Sequence, residues 1–182
     1  QDVVLTHAAD AGLTLKTATT SDDTKATLTL QTGDTDIAIN DVLGQLHFSA
    51  PDEGAGTDAI LIAAGIAAVS EGDFSSSNNA TKLSFKTAAS ESATEKMSLS
   101  SAGHLTVAGR IITDNATEAT STTDGSLQTD GGLSVVKDIV AGDDIKLLSD
   151  DAVVHFGADS DVTITHDPDD GLFLKSTATA AS

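Results

Sequence analysis

Hydrophobic residues stand at alternate positions in short stretches along most of this chain. In each stretch two apolar side chains lie two residues apart, flanked by Thr, Ser, Asp or Lys. This period of two is typical of a β-strand with one face buried and the other in water. It predicts strands around the pairs Val3/Leu5, Leu13/Leu15, Leu28/Leu30, Ile37/Ile39, Leu46/Phe48, Leu83/Phe85, Met97/Leu99, Leu105/Val107, Leu133/Val135, Ile145/Leu147, Val162/Ile164 and Leu172/Leu174.

Clusters of Gly, Asp, Asn and Ser separate these stretches and predict turns, because Gly adopts positive φ at little cost. The glycine-containing clusters lie at residues 32–34, 101–103, 123–125, 130–132, 141–143 and 170–171. Both prolines, Pro51 and Pro168, stand beside Asp in such breaks and not inside a strand pattern. The chain is therefore predicted to be all-β, built of short antiparallel strands and hairpins.

Two stretches are ambiguous between helix and other structure. Residues 59–69 (AILIAAGIAAV) suit a buried helix, but their apolar residues also alternate, and Gly65 weakens a helix by about 1 kcal/mol relative to Ala. We predict a strand buried on both faces there. Residues 88–97 (AASESATEKM) permit a helix but carry no apolar stripe, so a loop or hairpin turn is predicted.

The same motif occurs near both ends of the chain, at residues 2–17 and 161–176. Laid over each other without a gap, the two copies are identical at nine of sixteen positions. Their separation is too long for one solenoid coil, so the repeated unit is predicted to be a domain or a module of several hairpins. We interpret the chain as roughly one period of a longer repetitive protein. The identical pairs are Asp2/Asp161, Val3/Val162, Thr6/Thr165, His7/His166, Asp10/Asp169, Gly12/Gly171, Leu13/Leu172, Leu15/Leu174 and Lys16/Lys175.

The sequence divides into four parts. Residues 1–35 hold the first copy of the motif and a following hairpin, and residues 36–108 form the main β module with most of the large apolar residues. Residues 109–142 are rich in Gly, Thr and Asp with thinly spaced apolar residues, which indicates a connector or shaft. Residues 143–182 return to the opening motif.

The charge of the chain is strongly negative. Asp and Glu number 28 against nine Lys and Arg, and the formal net charge is −19. A field of this sign repels phosphate backbones and anionic membrane surfaces, so we expect no nucleic-acid binding. No run approaches the roughly 18 apolar residues of a membrane-spanning helix, so we expect no membrane insertion. The chain has no Cys, which excludes disulfides and thiolate chemistry.

The hydrophobic inventory is small and favours an oligomer. Aromatic residues make up 3% of the chain, with five Phe and neither Trp nor Tyr. Short strands with one apolar face and Gly-rich turns are better stabilised when three chains wind around a shared core, since neighbours then cover the sheet edges. We predict an elongated, intertwined homotrimeric fibre.

The order of motifs in the chain resembles a known class of protein. Residues 44–72 (GQLHFSAPDEGAGTDAILIAAGIAAVSEG), 81–88 (TKLSFKTA) and 95–109 (EKMSLSSAGHLTVAG) resemble a module common in tail-fibre and other structural proteins of tailed bacteriophages. The Gly-rich run at residues 122–147 is similar to the segment that follows this module in such proteins. Residues 153–176 are similar to segments of structural proteins from phages of marine bacteria.

This resemblance implies a homotrimeric, β-rich, elongated virion appendage that supports attachment to the host cell. It implies an extracellular location on the virion and contacts with other virion tail proteins. The sequence contains no evident receptor-binding tip or trimerising chaperone domain. A host surface glycan or protein is therefore expected to bind through a region outside this chain.

Two histidines are the first candidates for specific chemistry. His7 and His166 occupy equivalent positions in the repeated motif. With Val3 and Leu5 on one strand face, His7 continues that face, and in a homotrimer its copies would meet on the axis, where imidazoles bind a metal ion or an anion. The simpler interpretation, which we favour, is a strand-end residue that hydrogen-bonds the following turn.

Three carboxylates form a second candidate for a metal site. Asp167, Asp169 and Asp170 lie in one turn, and Ca²⁺ favours several oxygen ligands at such spacing. The first copy of the motif carries only Asp10 in the corresponding turn, so a calcium site would not be shared by both copies.

No catalytic residues and no cofactor are predicted. The carboxylates lie in polar turns, where they lack the desolvation that moves a pKa toward neutrality. Neither a nucleophile-elbow pattern nor a phosphate-cradling loop is present. The alternative function from another class is a repetitive bacterial surface adhesin or extracellular filament subunit. A glycan-binding or glycan-cleaving module would need exposed aromatics, and Phe is the only aromatic here.

Overall fold

A computed structural model gives the fold of the chain. It describes residues 3–8, 12–18, 20, 22–50, 54, 56–169 and 171–177, and for residues 3–8 and 12 it describes the backbone alone. The described residues contain no helix, and hence none long and apolar enough to cross a membrane. They form ten strands: β1 Val3–Ala8, β2 Gly12–Thr17, β3 Val42–Ser49, β4 Ile62–Ser70, β5 Thr81–Thr87, β6 Thr94–Leu99, β7 Leu105–Val107, β8 Val153–Phe156, β9 Val162–Asp167 and β10 Gly171–Ser176.

The strands form three antiparallel sheets. β1 and β2 form a hairpin, β3 to β7 form a five-stranded sheet in sequence order, and β10-β9-β8 form a three-stranded sheet. The prediction of an all-β fold of short antiparallel strands is therefore confirmed. The chain divides into two compact units, Gln1–Ala116 and Thr117–Ser182. The first unit holds β1 to β7 and the second holds β8 to β10.

Strand β4 lies at the heart of the five-stranded sheet, paired with β3 on one side and β5 on the other. The prediction of a strand in residues 59–69 is confirmed, because alternating Ile and Ala and two partner strands outweigh any helical tendency. The predicted burial on both faces is wrong for one face. Gly65, Ala67 and Val69 are buried, whereas Ala64 and Ile66 are only half-buried.

The segment that follows β5 is a loop, as predicted in preference to a helix. Its ends are tied to β4, since the amide of Ala88 donates to the Ala63 carbonyl at 2.9 Å and that of Ala93 donates to the Ile62 carbonyl at 2.8 Å. Strand β6 then begins at Thr94.

Four of the twelve predicted strand pairs are wrong. The described residues around Leu28/Leu30, Ile37/Ile39, Leu133/Val135 and Ile145/Leu147 form no strand. Around Ile39 the backbone is instead held by a turn. The Ile39 amide donates to Asp73 Oδ1 at 3.1 Å, the Asn40 amide donates to the Ser70 carbonyl at 3.0 Å, and Asn40 itself has φ of 73°. Two alternating apolar residues make a strand only where a second strand supplies the hydrogen bonds.

The two copies of the repeated motif form hairpins of the same register. In the first, Val3 pairs with Thr17 and Ala8 with Gly12. In the second, the aligned residues pair in the same way, Val162 with Ser176 and Asp167 with Gly171. Gly171 has φ of 91°, a conformation that a Cβ would strain, which explains a Gly at this turn position. The second hairpin has an additional partner, β8, along β9.

Buried residues are few and small. Among the described residues the buried hydrophobic side chains are Ala67, with 2% of its surface exposed, and Val69, and the buried polar ones are Ser70 and Ser84. All four belong to β4 or β5 of the five-stranded sheet. The centre of this sheet is therefore the best-packed part of the described chain.

We expect the close approach of β3 and β4 at Gly65 to be required for stability. A methyl group at position 65 would lie 2.9 Å from the Leu46 carbonyl oxygen and 3.2 Å from Cδ2 of His47. Because the first of these atoms is backbone within the strand pair, Gly65→Ala should lower the free energy of unfolding by about 1–3 kcal/mol. Urea unfolding followed by circular dichroism at one protein concentration measures this change.

Gly33→Ala is the matched control for this substitution. A Cβ at Gly33 meets nothing within 4 Å, so the change in stability should stay within about 0.5 kcal/mol. Equal unfolding midpoints for the two variants would contradict the proposed crowding at Gly65.

Candidate functional site

The register of the five-stranded sheet places most of its large apolar side chains on one face. Residues directly opposite each other in an antiparallel pair share a face, so the pairing can be followed across the strands. The middle row consists of Leu46, Ile66, Phe85, Met97 and Val107. The two flanking rows consist of Gly44, Ala68, Leu83, Leu99 and Leu105, and of Phe48, Ala64 and Thr87.

These thirteen residues are called the apolar face below. Within this set no side chain is charged and Thr87 is the one polar residue, and Thr94 of β6 continues the row of Thr87 at the edge of the face.

The apolar face is open to solvent. Leu46 exposes 45% of its surface, Phe48 56% and Leu105 60%. Ile66 and Phe85 in the middle row are only half-buried. Soluble monomers rarely leave a contiguous apolar surface of this kind exposed, and such surfaces mark sites of interaction.

The opposite face of the same sheet is polar and yet contains the buried residues. Lys82, Ser84 and Lys86 of β5 lie on it together with Ala67 and Val69 of β4. Lys82 Nζ forms a salt bridge of 2.9 Å with Glu95 Oε2, and the two side chains bracket Ser84. Long charged side chains thus cover the small residues on this side. The sheet therefore shields its polar face locally and leaves its apolar face uncovered.

The three-stranded sheet has an apolar face of similar character. Its register brings Val154 and Phe156 of β8 beside Ile164 and Val162 of β9, with Leu174 of β10 next to Ile164. Each of these residues other than Ile164 is exposed. The other face of this sheet is mixed, with Val153 and Phe173 beside His155, Thr163, Thr165, Asp167 and Lys175.

The residues predicted as weak metal ligands are only partly described. His166 lies on the apolar side of β9, in register with Leu172, and is exposed. Asp167 ends β9, and its Oδ1 accepts a hydrogen bond of 3.1 Å from the Asp169 amide, which is a local turn contact. The side chain of His7 and the whole of Asp170 lie outside the described residues. Within the described part of the chain, no three His, Asp or Glu side chains are grouped to hold a metal ion.

A tightly bonded turn lies within the strand-free stretch between β7 and β8. The hydroxyl of Thr120 donates to Asp124 Oδ2 at 2.6 Å, and the Ser121 and Thr120 amides donate to Asp124 Oδ1 at 2.9 and 3.0 Å. These hydrogen bonds, that of the Thr120 hydroxyl above all, lower the pKa of Asp124 from 3.8 to about 2. The Asp124 side chain is half-buried, and through these hydrogen bonds it fixes the local backbone.

A cavity of about 650 Å³ lies beside this turn, lined by residues 118–122, 143–144 and 146–149. Its ionisable side chains are Glu118, Asp143, Asp144 and Lys146, and all four are exposed. Catalytic carboxylates are usually found where desolvation or a like-charge partner acts on them. The cavity therefore offers less support for a function than the two apolar sheet faces.

Comparisons with protein families, with curated proteins and with solved structures find no match for this chain. The function of the chain is therefore inferred from its own residues and from the motifs in its sequence.

The Asp124 turn should stay ordered well into acid. The pKa of Asp124 is lowered in the folded state, so the stabilisation that its carboxylate contributes is present above about pH 4 and lost as pH falls through about 2. A ¹³C NMR titration of the side-chain carboxyl should give a pKa of about 2. Thr120→Val, which removes the hydroxyl donor, should raise it. A midpoint near 3.8 in the unaltered protein would refute the hydrogen-bonded turn.

Proposed function

We propose that this chain is a structural segment of a tail fibre, or of a related virion appendage, of a tailed bacteriophage. In this role it works mechanically, as a stiff and soluble spacer that supports attachment to the host cell. It assembles as a homotrimer, contacts other virion tail proteins, and leaves receptor binding to a region outside this chain. It has no enzymatic activity in this proposal.

The observation that carries the proposal is the open apolar face of the five-stranded sheet. A spacer built of several copies needs a surface of each chain that is stable only when other copies cover it. A monomeric binding module or enzyme would bury this face in its own core instead. The face thus favours an assembled structural protein over either.

The motif order is the link to phage appendages. The segments at residues 44–72, 81–88 and 95–109 that resemble the tail-fibre module correspond to β3–β4, β5 and β6–β7, so the resemblance covers one continuous sheet. The net charge of −19 suits an appendage that must stay soluble and resist non-specific adhesion.

The oligomeric state tests the structural part of the proposal. Light scattering coupled to gel filtration should give a mass near three times the 18.3 kDa of one chain. Because burial of the apolar face provides much of the stability, this mass should persist at micromolar concentration. A stable monomer at that concentration would overturn the proposal.

The location on the virion needs a separate test. Immunogold labelling of purified virions with antibodies against this chain should place gold on the tail appendages and none on the capsid. Labelling of bacterial cell surfaces in cultures free of virions would instead support the adhesin or filament alternative.

A further inference from the structure

We infer that the apolar face of the five-stranded sheet is the subunit interface, and that its occupant is the same face of other copies of this chain. The inference rests on the proposed function, which supplies the assembly, and adds the surface through which the copies meet. Four properties of the chain select a second copy as the occupant.

The first property is the distribution of charge. The chain carries a formal net charge of −19, so most pairs of its surfaces repel each other when two copies approach. The apolar face is free of charged residues, and burying it against itself places no ionised group in a medium of low dielectric constant. The opposite face, with Lys82, Lys86 and Glu95, would have to lose the hydration of three ions to be buried in the same way.

The second property is that the chain has little core of its own. Ala67 and Val69 are the buried hydrophobic residues in the described part of the chain, and both side chains lie away from the apolar face. A chain that depends on a partner for most of its apolar burial needs that partner whenever it folds. A second copy is the one partner that is always present at the concentration of the chain itself.

The third property is the surface shape of the apolar face. Small residues lie at the β3–β4 side, where Gly44 stands opposite Ala68 and Ala64 opposite Phe48, and larger side chains follow at Leu83. A Cβ on Gly44 would lie 2.8 Å from Cβ of Leu30, so Leu30 already occupies the hollow at Gly44, and the other small residues on this side are Ala64 and Ala68. Neighbouring hollows and ridges allow identical faces to interdigitate, as the inner faces of packed sheets do.

The fourth property is exposure. Leu46, Leu83, Leu99 and Leu105 each leave at least 41% of their surface exposed, and Phe48 leaves 56% exposed. The interfaces of obligate oligomers are rich in apolar residues and resemble a domain core cut in half. A sheet face with these large apolar side chains in water has that character.

Cysteine labelling can test the interface directly, because the chain contains no Cys of its own. Leu105→Cys places a thiol on the apolar face, and Thr106→Cys places one on the opposite face of the same strand. Both positions are exposed in the single chain. In the assembled protein, maleimide should react with the Leu105→Cys variant at least about tenfold more slowly than with the Thr106→Cys variant. The difference should disappear in denaturant.

Charge substitution provides a second and independent measurement. Leu46→Asp and Leu105→Asp put a carboxylate on the apolar face at the two edge strands, and they should raise the concentration for half-association at least about tenfold. The controls Gln45→Asp and Thr106→Asp add the same charge to the same strands on the other face, and they should keep the mass of the unaltered protein.

The outcomes separate this inference from the proposed function. If the unaltered protein is an oligomer but both cysteine variants react equally fast, the interface lies elsewhere and the inference is overturned while the assembly stands. If the unaltered protein is a dimer with position 105 protected, the interface is supported and the proposed trimer is contradicted. A monomer overturns both. The cysteine variants settle the question even if the aspartate variants fail to fold, because Leu→Cys leaves an uncharged, apolar side chain.

Discussion

A sheet with one apolar face is stable in water only when something removes that face from the solvent, because apolar hydration is the main cost that folding relieves. In the five-stranded sheet it is the polar face that contains the buried residues, and the apolar face stays exposed. The small buried residues, Ala67 and Val69, lie under the polar face, while Leu46 and Leu105 remain in water. The pairing register that builds the sheet also decides which side chains share the uncovered face. On the proposed assembly, folding and association of this chain therefore depend on the same set of residues.

The distribution of charge gives that association a direction. The five-stranded sheet keeps its charged side chains off the apolar face, whereas the three-stranded sheet separates its residues only in part, with Leu174 and Ile164 on one face and Phe173 beside Lys175 and Asp167 on the other. In a chain with a net charge of −19, contacts between charged faces are penalised and contacts between apolar faces are not. The abundance of Asp thus does more than keep the protein soluble. It restricts the ways in which copies can meet.

The sequence allowed the strands to be predicted where alternation had a partner nearby. Leu83/Phe85 and Met97/Leu99 lie in neighbouring strands that pair with each other, and both were predicted correctly. Leu133/Val135 has the same local pattern but no strand beside it, so the pattern alone was insufficient. Strand β8 was not among the predicted strands, although Val154 and Phe156 alternate in it.

The candidate surface could not be predicted from the sequence for a different reason. Alternation shows which side chains share a face but says nothing about what covers them, and the exposure of residues such as Phe48 depends on the whole fold. The hydrogen bonds that hold Asp124 could not be predicted from the sequence either. A cluster of Thr, Ser and Asp predicts a turn but does not specify which groups donate to the carboxylate.

The simple order of the five-stranded sheet has a consequence for the time course of assembly. Each of its strands pairs with its neighbour in sequence, so every contact closes a short loop and hairpins can form within about 1–10 μs. On the proposed assembly, the slow event is then the encounter of separate chains, whose rate depends on concentration. A newly synthesised chain keeps its apolar face exposed until it meets other copies, and during that time aggregation competes with correct association. Synthesis of many chains close together would shorten the wait, and dilution would lengthen it.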